Sequence, residues 1–483
     1  MLAFSNDYYG FIFRVTQSVE LFCAYLKSNY IPLYYMKYDS KNLYADNYIV
    51  VEDFYKDTLK EEVLYKIRNL SENVIDFQVH LIMLSMFVAQ KDAFIGKNKM
   101  YSIYNSETPL ISAKKILETI IKYKTYNTNT GKEDILINRL LFDSQVISSI
   151  DYSLYEGGGM LWFIACMGNE LGRSDLKELV CNIFDSRFSI YEANKAEAKL
   201  ATYQGKGSLL YLSYNFFKLY GEKKYFDNCM RVLADIKESL IDSNPIYTDY
   251  LNGVLGIPVM LNKMYSIPMD VRKEVTQLIG EKIKFSKDTE KFQIGLAHGY
   301  SGKALALASI EKVDGKGLYI KDIFKLLVEE RKYIDDNKKE VDVTWCRGLS
   351  GIILSRIEIK KCLNDLNILE LIDSDIHYYL EILLKTPVNY AKSLCLCHGI
   401  YGNLDVLRVI SNLDFLNQDE EEKIQKRLSY ITKFIGKEEL LDMGIKNNLQ
   451  LQTFMLGSSG VGYALLRAHN EKYPSILNLD VLV

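Results

Sequence analysis

Apolar residues run along this chain in two alternating textures. One is amphipathic: Leu176, Leu179, Val180 and Ile183 follow Ser174, and Phe324, Leu326 and Leu327 follow Asp322. Recurrence every three to four residues behind a residue able to cap a helix start predicts helices with one face on a core. The other texture is apolar almost without interruption, as in Met160-Leu161-Trp162-Phe163-Ile164-Ala165 and Ser208-Leu209-Leu210-Tyr211-Leu212. Such segments read as helices buried on all sides.

A glycine step opens each buried segment. The first glycines fall at Gly157, Gly205, Gly253, Gly299, Gly348, Gly399 and Gly457, and five steps read Gly-x-x-Gly outright, closing at Gly256, Gly302, Gly351, Gly402 and Gly460. Gly157-Gly158-Gly159 and Gly205-Lys206-Gly207 are compressed variants. Each repeat therefore predicts one amphipathic outer helix, a glycine turn and one buried inner helix, a unit of roughly 45–55 residues and the size of helical-hairpin repeats. Seven such pairs suit an open solenoid or a closed ring, and the lack of solvent-facing character in the apolar helices favours a ring with inner and outer layers. The glycines themselves read as helix C-caps and tight turns. Few prolines and no period-2 runs of note leave little room for a sheet core.

Composition narrows the class. A net charge of -3 argues against a dominant nucleic-acid surface, which needs clustered Lys and Arg. Eight cysteines are sparse in 483 residues, and Met1-Leu2-Ala3-Phe4 runs into Ser5-Asn6-Asp7 with no signal-peptide pattern, so a reducing cytoplasm is expected. The apolar stretch from His80 to Ala89 is too short to span a bilayer. A soluble cytoplasmic protein is expected, and docking at the inner face of a membrane stays compatible with it.

Chemistry concentrates in Ala297-His298-Gly299, Trp345-Cys346-Arg347-Gly348 and Cys397-His398-Gly399. Two cysteines and an adjacent histidine suit a catalytic zinc with three protein ligands and an open fourth position, with one histidine left to move protons. No C-x-x-C pair or H-E-x-x-H motif supports zinc locally. The repeat supplies what local spacing lacks, because Cys346 and Cys397 each stand two residues before their glycine. If all seven turns lie at one end of a ring, the two cysteines meet. Neighbouring side chains on a regular helix diverge by about 100°, so Cys397 and His398 share an ion only from a bent segment. Cys395 stands close enough to be a spare ligand. Cys23, Cys166, Cys181, Cys229 and Cys362 read as small apolar fillers, and His80, His377 and His469 as structural or surface residues.

Gly295-Leu296-Ala297-His298-Gly299, Trp345-Cys346-Arg347-Gly348 and Leu396-Cys397-His398-Gly399 resemble the signature motifs of the lanthionine synthetase C-like cyclases, over about Leu110 to the last residue. The resemblance implies an all-α fold, an α/α toroid of seven inner and seven outer helices over residues 106–483. It also implies zinc on Cys346, Cys397 and His398, His298 as the acid-base group and Asp249 as the carboxylate near it. Asn403 and Gly460-Val461-Gly462-Tyr463-Ala464-Leu465-Leu466-Arg467 are closer to the cyclase half of class II synthetases. Arg14-Val15-Thr16-Gln17 resembles a segment late in the class II dehydratase domain, with Val19 where an aromatic is usual. Residues 1–105 would then be a smaller helical region from the end of a dehydratase. Two departures stand out: Asp342 where many free-standing cyclases carry arginine, and Arg347 where they carry tyrosine.

What this resemblance implies is addition of cysteine thiols to dehydroalanine or dehydrobutyrine in a precursor peptide, giving lanthionine or methyllanthionine thioethers. A separate dehydratase and a membrane exporter are the implied partners, with no nucleic acid. Two other readings stay open: a glutathione-adding relative with the same metal site, and a metal-free toroid that scaffolds a peptide-modifying complex.

Overall fold

The computed structural model describes residues 34–45, 48–68, 75, 108–127, 132–141, 144–242, 246–285, 293–337, 341–387, 393–429 and 451–483. The chain divides into two compact units, Met1–Val79 and His80–Val483. Cys23, His80, the apolar stretch that begins there and the Arg14–Gln17 segment lie outside the described residues.

Among the described residues of the first unit, β1 (Tyr34–Met36), β2 (Leu43–Ala45) and β3 (Tyr48–Val51) form an antiparallel sheet. One helix, α1 (Leu59–Arg68), follows. The sheet adds to the helical content expected from sequence.

The second unit is built from paired helices. Its inner helices are α3 (Gly157–Glu170), α5 (Lys206–Tyr220), α7 (Gly256–Leu261), α9 (Tyr300–Asp314), α11 (Leu349–Lys360), α13 (Ile400–Ile410) and α15 (Ser458–His469). Each packs on the next, and α15 packs back on α3, so the ring closes. Outside them lie α2 (Pro109–Ile121), α4 (Ser174–Ala193), α6 (Lys223–Asp242), α8 (Met269–Phe285), α10 (Ile320–Asp336), α12 (Leu366–Lys385) and α14 (Gln418–Leu428). Helix α2 backs α15, and the others back the inner helix that precedes them. The described residues of this second unit thus form an α/α toroid of seven inner and seven outer helices.

Burial follows the two textures. All residues from Gly157 to Gly168 of α3 are buried, whereas α4 buries Leu176, Leu179, Val180, Ile183, Phe184, Phe188 and Tyr191 along one face. Ser174 is the first residue of α4 and makes no side-chain cap. In α10 the face differs from expectation: Ile323, Leu327, Glu330 and Ile334 turn inward, and Phe324 is exposed. The inward stripe keeps helical period only by including a charged residue, which hydropathy alone assigns to water.

Two corrections concern local structure. The glycines are not C-caps: Gly205, Gly299, Gly348, Gly399 and Gly457 are N-caps of inner helices. The second glycine of a step lies in the helix's first turn, in most steps against the chain that leads into it and at Gly256 against Thr202 and Leu479. At Gly402 a Cβ would sit 1.9 Å from the Leu396 carbonyl oxygen. A second sheet was also not anticipated: β4 (Lys124–Asn127), β5 (Lys132–Leu141) and β6 (Ser144–Ser149) form an antiparallel meander. Ile135 and Ile137 are buried at alternate positions, but Leu136 between them hides the period.

The interior of the ring is filled. The segment after α15 buries Tyr473, Ile476, Leu477 and Leu479. Its polar groups bond to inner-ring residues: Trp345 Nε1 donates to the Leu477 carbonyl (3.1 Å), Tyr203 Oη to Ile476 (2.8 Å) and Tyr463 Oη to Pro474 (2.7 Å). Ser475 Oγ reaches Asp405 of α13, and Asn478 reaches Glu358 of α11.

Candidate metal centre

Residues two before each glycine form a closed circle of backbone hydrogen bonds. The N–H of Tyr155 donates to the carbonyl of Tyr203 (3.1 Å), Tyr203 to Leu251 (3.0 Å), Leu251 to Ala297 (3.3 Å) and Ala297 to Cys346 (3.0 Å). Cys346 donates to Cys397 (3.1 Å), Cys397 to Met455 (3.0 Å), and Met455 back to Tyr155 (2.8 Å). Every member spends its N–H and its carbonyl on its neighbours, as buried backbone must. Residues far apart in sequence thereby occupy adjacent seats, with the inner-helix N-termini all at one end.

Cys346 and Cys397 hold two neighbouring seats, and His398 follows directly. One ligand atom from each of the three lies within 4.8 Å of the others. His298 follows Ala297, the seat on the other side of Cys346. The circle, rather than a local motif, brings these residues together.

The donor set fits zinc. Two sulfurs and one imidazole nitrogen around a tetrahedral ion stand about 3.6–3.8 Å apart, given zinc–sulfur and zinc–nitrogen bonds of about 2.3 and 2.0–2.1 Å. Closing the present separations needs only side-chain motion of about an ångström. Protonation within the trio is uneven. The Cys346 thiol is held down to about 5, first by its hydrogen bond with Cys397 and further by His398. Cys397 is pushed up, by that same hydrogen bond and by burial. His398 is pushed up to about 10 by hydrogen bonds to Cys346 and then Cys395. A divalent ion binding this trio must displace protons to do so.

Beside the trio, His298 Nδ1 lies 2.7 Å from Asp249 Oδ2. Asp249 is buried, and its Oδ1 accepts from the backbone N–H of Leu251 (2.9 Å) and Asn252 (2.5 Å). That hydrogen bond raises the His298 pKa; partial burial and exposed Arg347 work against the rise. A cleft of about 360 Å³ opens next to the pair, between α8, α9 and α10, with Tyr300, Lys303, Lys325 and Glu329 on its walls.

The remaining candidates are apart from this centre. Cys395 is fully buried, its N–H on Ser393 Oγ, outside the trio but beside His398. Cys166, Cys181, Cys229 and Cys362 are free thiols away from it. His377 pairs with Glu420 and His469 with Glu170. Asp342 accepts from the Thr344 N–H in the turn before Cys346.

Sequence reasoning missed three residues. Tyr155 Oη donates to Cys397 Sγ at 3.4 Å; its seat before Gly157 was the available signal. Glu330 and Arg356, both wholly buried, are an ion pair at 3.0 Å. Glu330 Oε1 accepts from the N–H groups of Gly295 (2.9 Å) and Ser301 (3.2 Å), clamping both ends of the loop that carries His298. Gly295 has φ +99° and is pressed so closely to Arg347 that a Cβ would lie 2.6 Å from its Cα. Nothing in the hydropathy of α10 or α11 marks these two charges as interior.

Residues 148–481 match the family model described as lanthionine synthetase C-like protein. Over 448 residues the chain is 24% identical to the lacticin 481/lactococcin biosynthesis protein LcnDR2 of Lactococcus lactis subsp. lactis, an alignment covering 85% of this chain and 46% of that protein. The chain thus spans about half the length of this curated relative. The structure of a nisin cyclase aligns with TM-score 0.48 and 15% identity, over 66% of this chain and 89% of that one.

Proposed function

Because the chain belongs to the lanthionine synthetase C-like family, we propose that it is a zinc-dependent peptide cyclase that adds cysteine thiols to dehydroalanine or dehydrobutyrine in a lantibiotic-type precursor. The observation that carries this reading is the gathering of Cys346, Cys397 and His398 at the mouth where His298 and Asp249 also lie.

Cys346, Cys397 and His398 would hold the ion and leave its fourth position to substrate. A free cysteine has a pKa near 8.5 and is only a few per cent thiolate at neutral pH; zinc, when bound, supplies the Lewis acidity that deprotonates it. The substrate sulfur attacks the β-carbon of the dehydroamino acid, the double-bond pair moves toward the carbonyl oxygen as an enolate, and the α-carbon takes a proton. His298 is assigned as the donor through Nε2, since Nδ1 is engaged by Asp249. It recovers a proton from the next thiol that ionises. Arg347, exposed one residue after Cys346, is assigned to offset the enolate's charge.

Substrate must arrive already dehydrated, so a dehydratase is the expected working partner, in the cytoplasm. No helix among the described residues is long and apolar enough to cross a membrane. Incubating the purified chain with dehydrated precursor, with and without zinc and with and without glutathione, tests the reading. Loss of free thiols at unchanged peptide mass supports cyclisation. A mass gain of one glutathione overturns it in favour of external thiol addition, thiol loss indifferent to zinc overturns the metal dependence, and no thiol loss beyond a chain-free control leaves only a scaffold role.

A further inference from the structure

The circle of seven seats raises a question for each side chain it carries, and only one seat outside repeats five and six sends a polar atom to the sulfurs among the described residues. Tyr155 sits before Gly157 as Cys397 sits before Gly399. Its N–H and carbonyl are fixed by Tyr203 and Met455, and its phenol reaches past the single intervening seat, Met455, to Cys397 Sγ at 3.4 Å.

We propose that Tyr155 is a positioning residue for the metal centre, its phenolic O–H donating to the Cys397 sulfur and stabilising that sulfur as a thiolate ligand. The inference rests on the zinc reading and adds a ligand-supporting residue to it.

The physical need is plain. Cys397 is the deeper of the two sulfurs, 5% exposed against 9% for Cys346, and burial disfavours its charged form. Two thiolates and a neutral imidazole balance a divalent ion, and a substrate thiolate adds a net negative charge. A buried anion without donors is costly, and a single neutral O–H placed on the sulfur offsets part of that cost without adding charge. Thr344 Oγ1, 3.9 Å from Cys346 Sγ, stands in a similar relation to the other cysteine. A phenol ordinarily keeps its proton until about pH 10, so the hydroxyl remains a donor throughout the working range. Hydrogen-bond partners of metal ligands contribute typically 10–100-fold to metal affinity.

The test uses the full chain and zinc competed against a chromophoric chelator at neutral pH, for wild type, Tyr155→Phe and Tyr203→Phe. Tyr203 is the control: it occupies the adjacent seat and is fully buried, but its hydroxyl donates to the Ile476 carbonyl. We expect Tyr155→Phe to weaken zinc binding about tenfold and to shift the cobalt–thiolate absorption band of the cobalt-loaded protein. Tyr203→Phe is expected to lower thermal stability and leave zinc affinity within twofold. Equal affinities for wild type and Tyr155→Phe, or equal losses in both variants, overturn the assignment. A wild-type chain that takes up no zinc removes the metal reading itself, and this inference with it.

Discussion

His298 Nδ1 lies 2.7 Å from Oδ2 of Asp249, a residue 49 positions earlier in the preceding repeat. The pairing makes the histidine's proton affinity a property of two repeats rather than one. Because the bond raises the folded-state pKa above 6.5, the protonated donor persists to higher pH than a free imidazole. In the Asp249→Asn variant the alkaline limb of the kcat profile should move to lower pH, with turnover at pH 7.5 reduced about 10²-fold and KM little changed. The same shift sets a sign for stability. A raised histidine contributes fully below the unfolded pKa and loses the contribution as pH rises through the folded one. The melting-temperature gap between wild type and Asp249→Asn should therefore be widest near pH 5–6 and narrow on the alkaline side.

Ligand removal and donor removal should separate. Cys346→Ala and Cys397→Ala are expected to lose both bound zinc and ring formation. His298→Asn should keep zinc in metal analysis while losing on the order of 10²–10³ in turnover. Full activity in His298→Asn would remove that residue from the proposed mechanism.

The Glu330–Arg356 pair is wholly buried, with Asp375 also bonded to Arg356 at 2.9 Å. Truncating one partner of such a pair typically costs about 3–5 kcal/mol, because the other charge is left without compensation. Glu330→Ala should show that loss in urea unfolding. A cost under about 1 kcal/mol would mean that Asp375 alone satisfies Arg356.

Gly402→Ala would drive a methyl group to 1.9 Å from the Leu396 carbonyl, one residue before Cys397. Overpacking of this kind costs about 1–3 kcal/mol or more, and the strain falls on backbone that carries two of the three candidate ligands. Weakened zinc retention should accompany the lowered melting temperature; a variant that melts early but holds zinc as tightly as wild type would show that the bend tolerates more room than the contact suggests.

Much of this architecture was legible in the chain because repetition amplifies a weak signal. One Gly-x-x-Gly is ambiguous, but seven steps fix the number of helix pairs, and Cys346 and Cys397 share a position relative to their glycines. What hydropathy could not reveal was anything whose partner lies in another repeat. Glu330 and Arg356 look like surface charges until each is seen to neutralise the other. The strands β4 to β6 stayed hidden because Ile135, Leu136 and Ile137 are apolar in succession. The glycines cap the opposite helix end from the one their residue type suggests, because their main constraint is close backbone and not a left-handed turn.

The circle of seven backbone bonds also bears on how such a protein can change over evolutionary time. Solenoids gain and lose units by duplication because their ends are free. Here every unit is a link in a closed loop, and the curve that brings Tyr155 past Met455 to Cys397 depends on how many links there are. Adding or deleting one unit would leave neighbours such as Cys346 and Cys397 side by side but would change the curvature on which the contact from Tyr155 to Cys397 depends. The closed circle thereby ties the number of units to the geometry of the mouth, a constraint that the outer helices do not share.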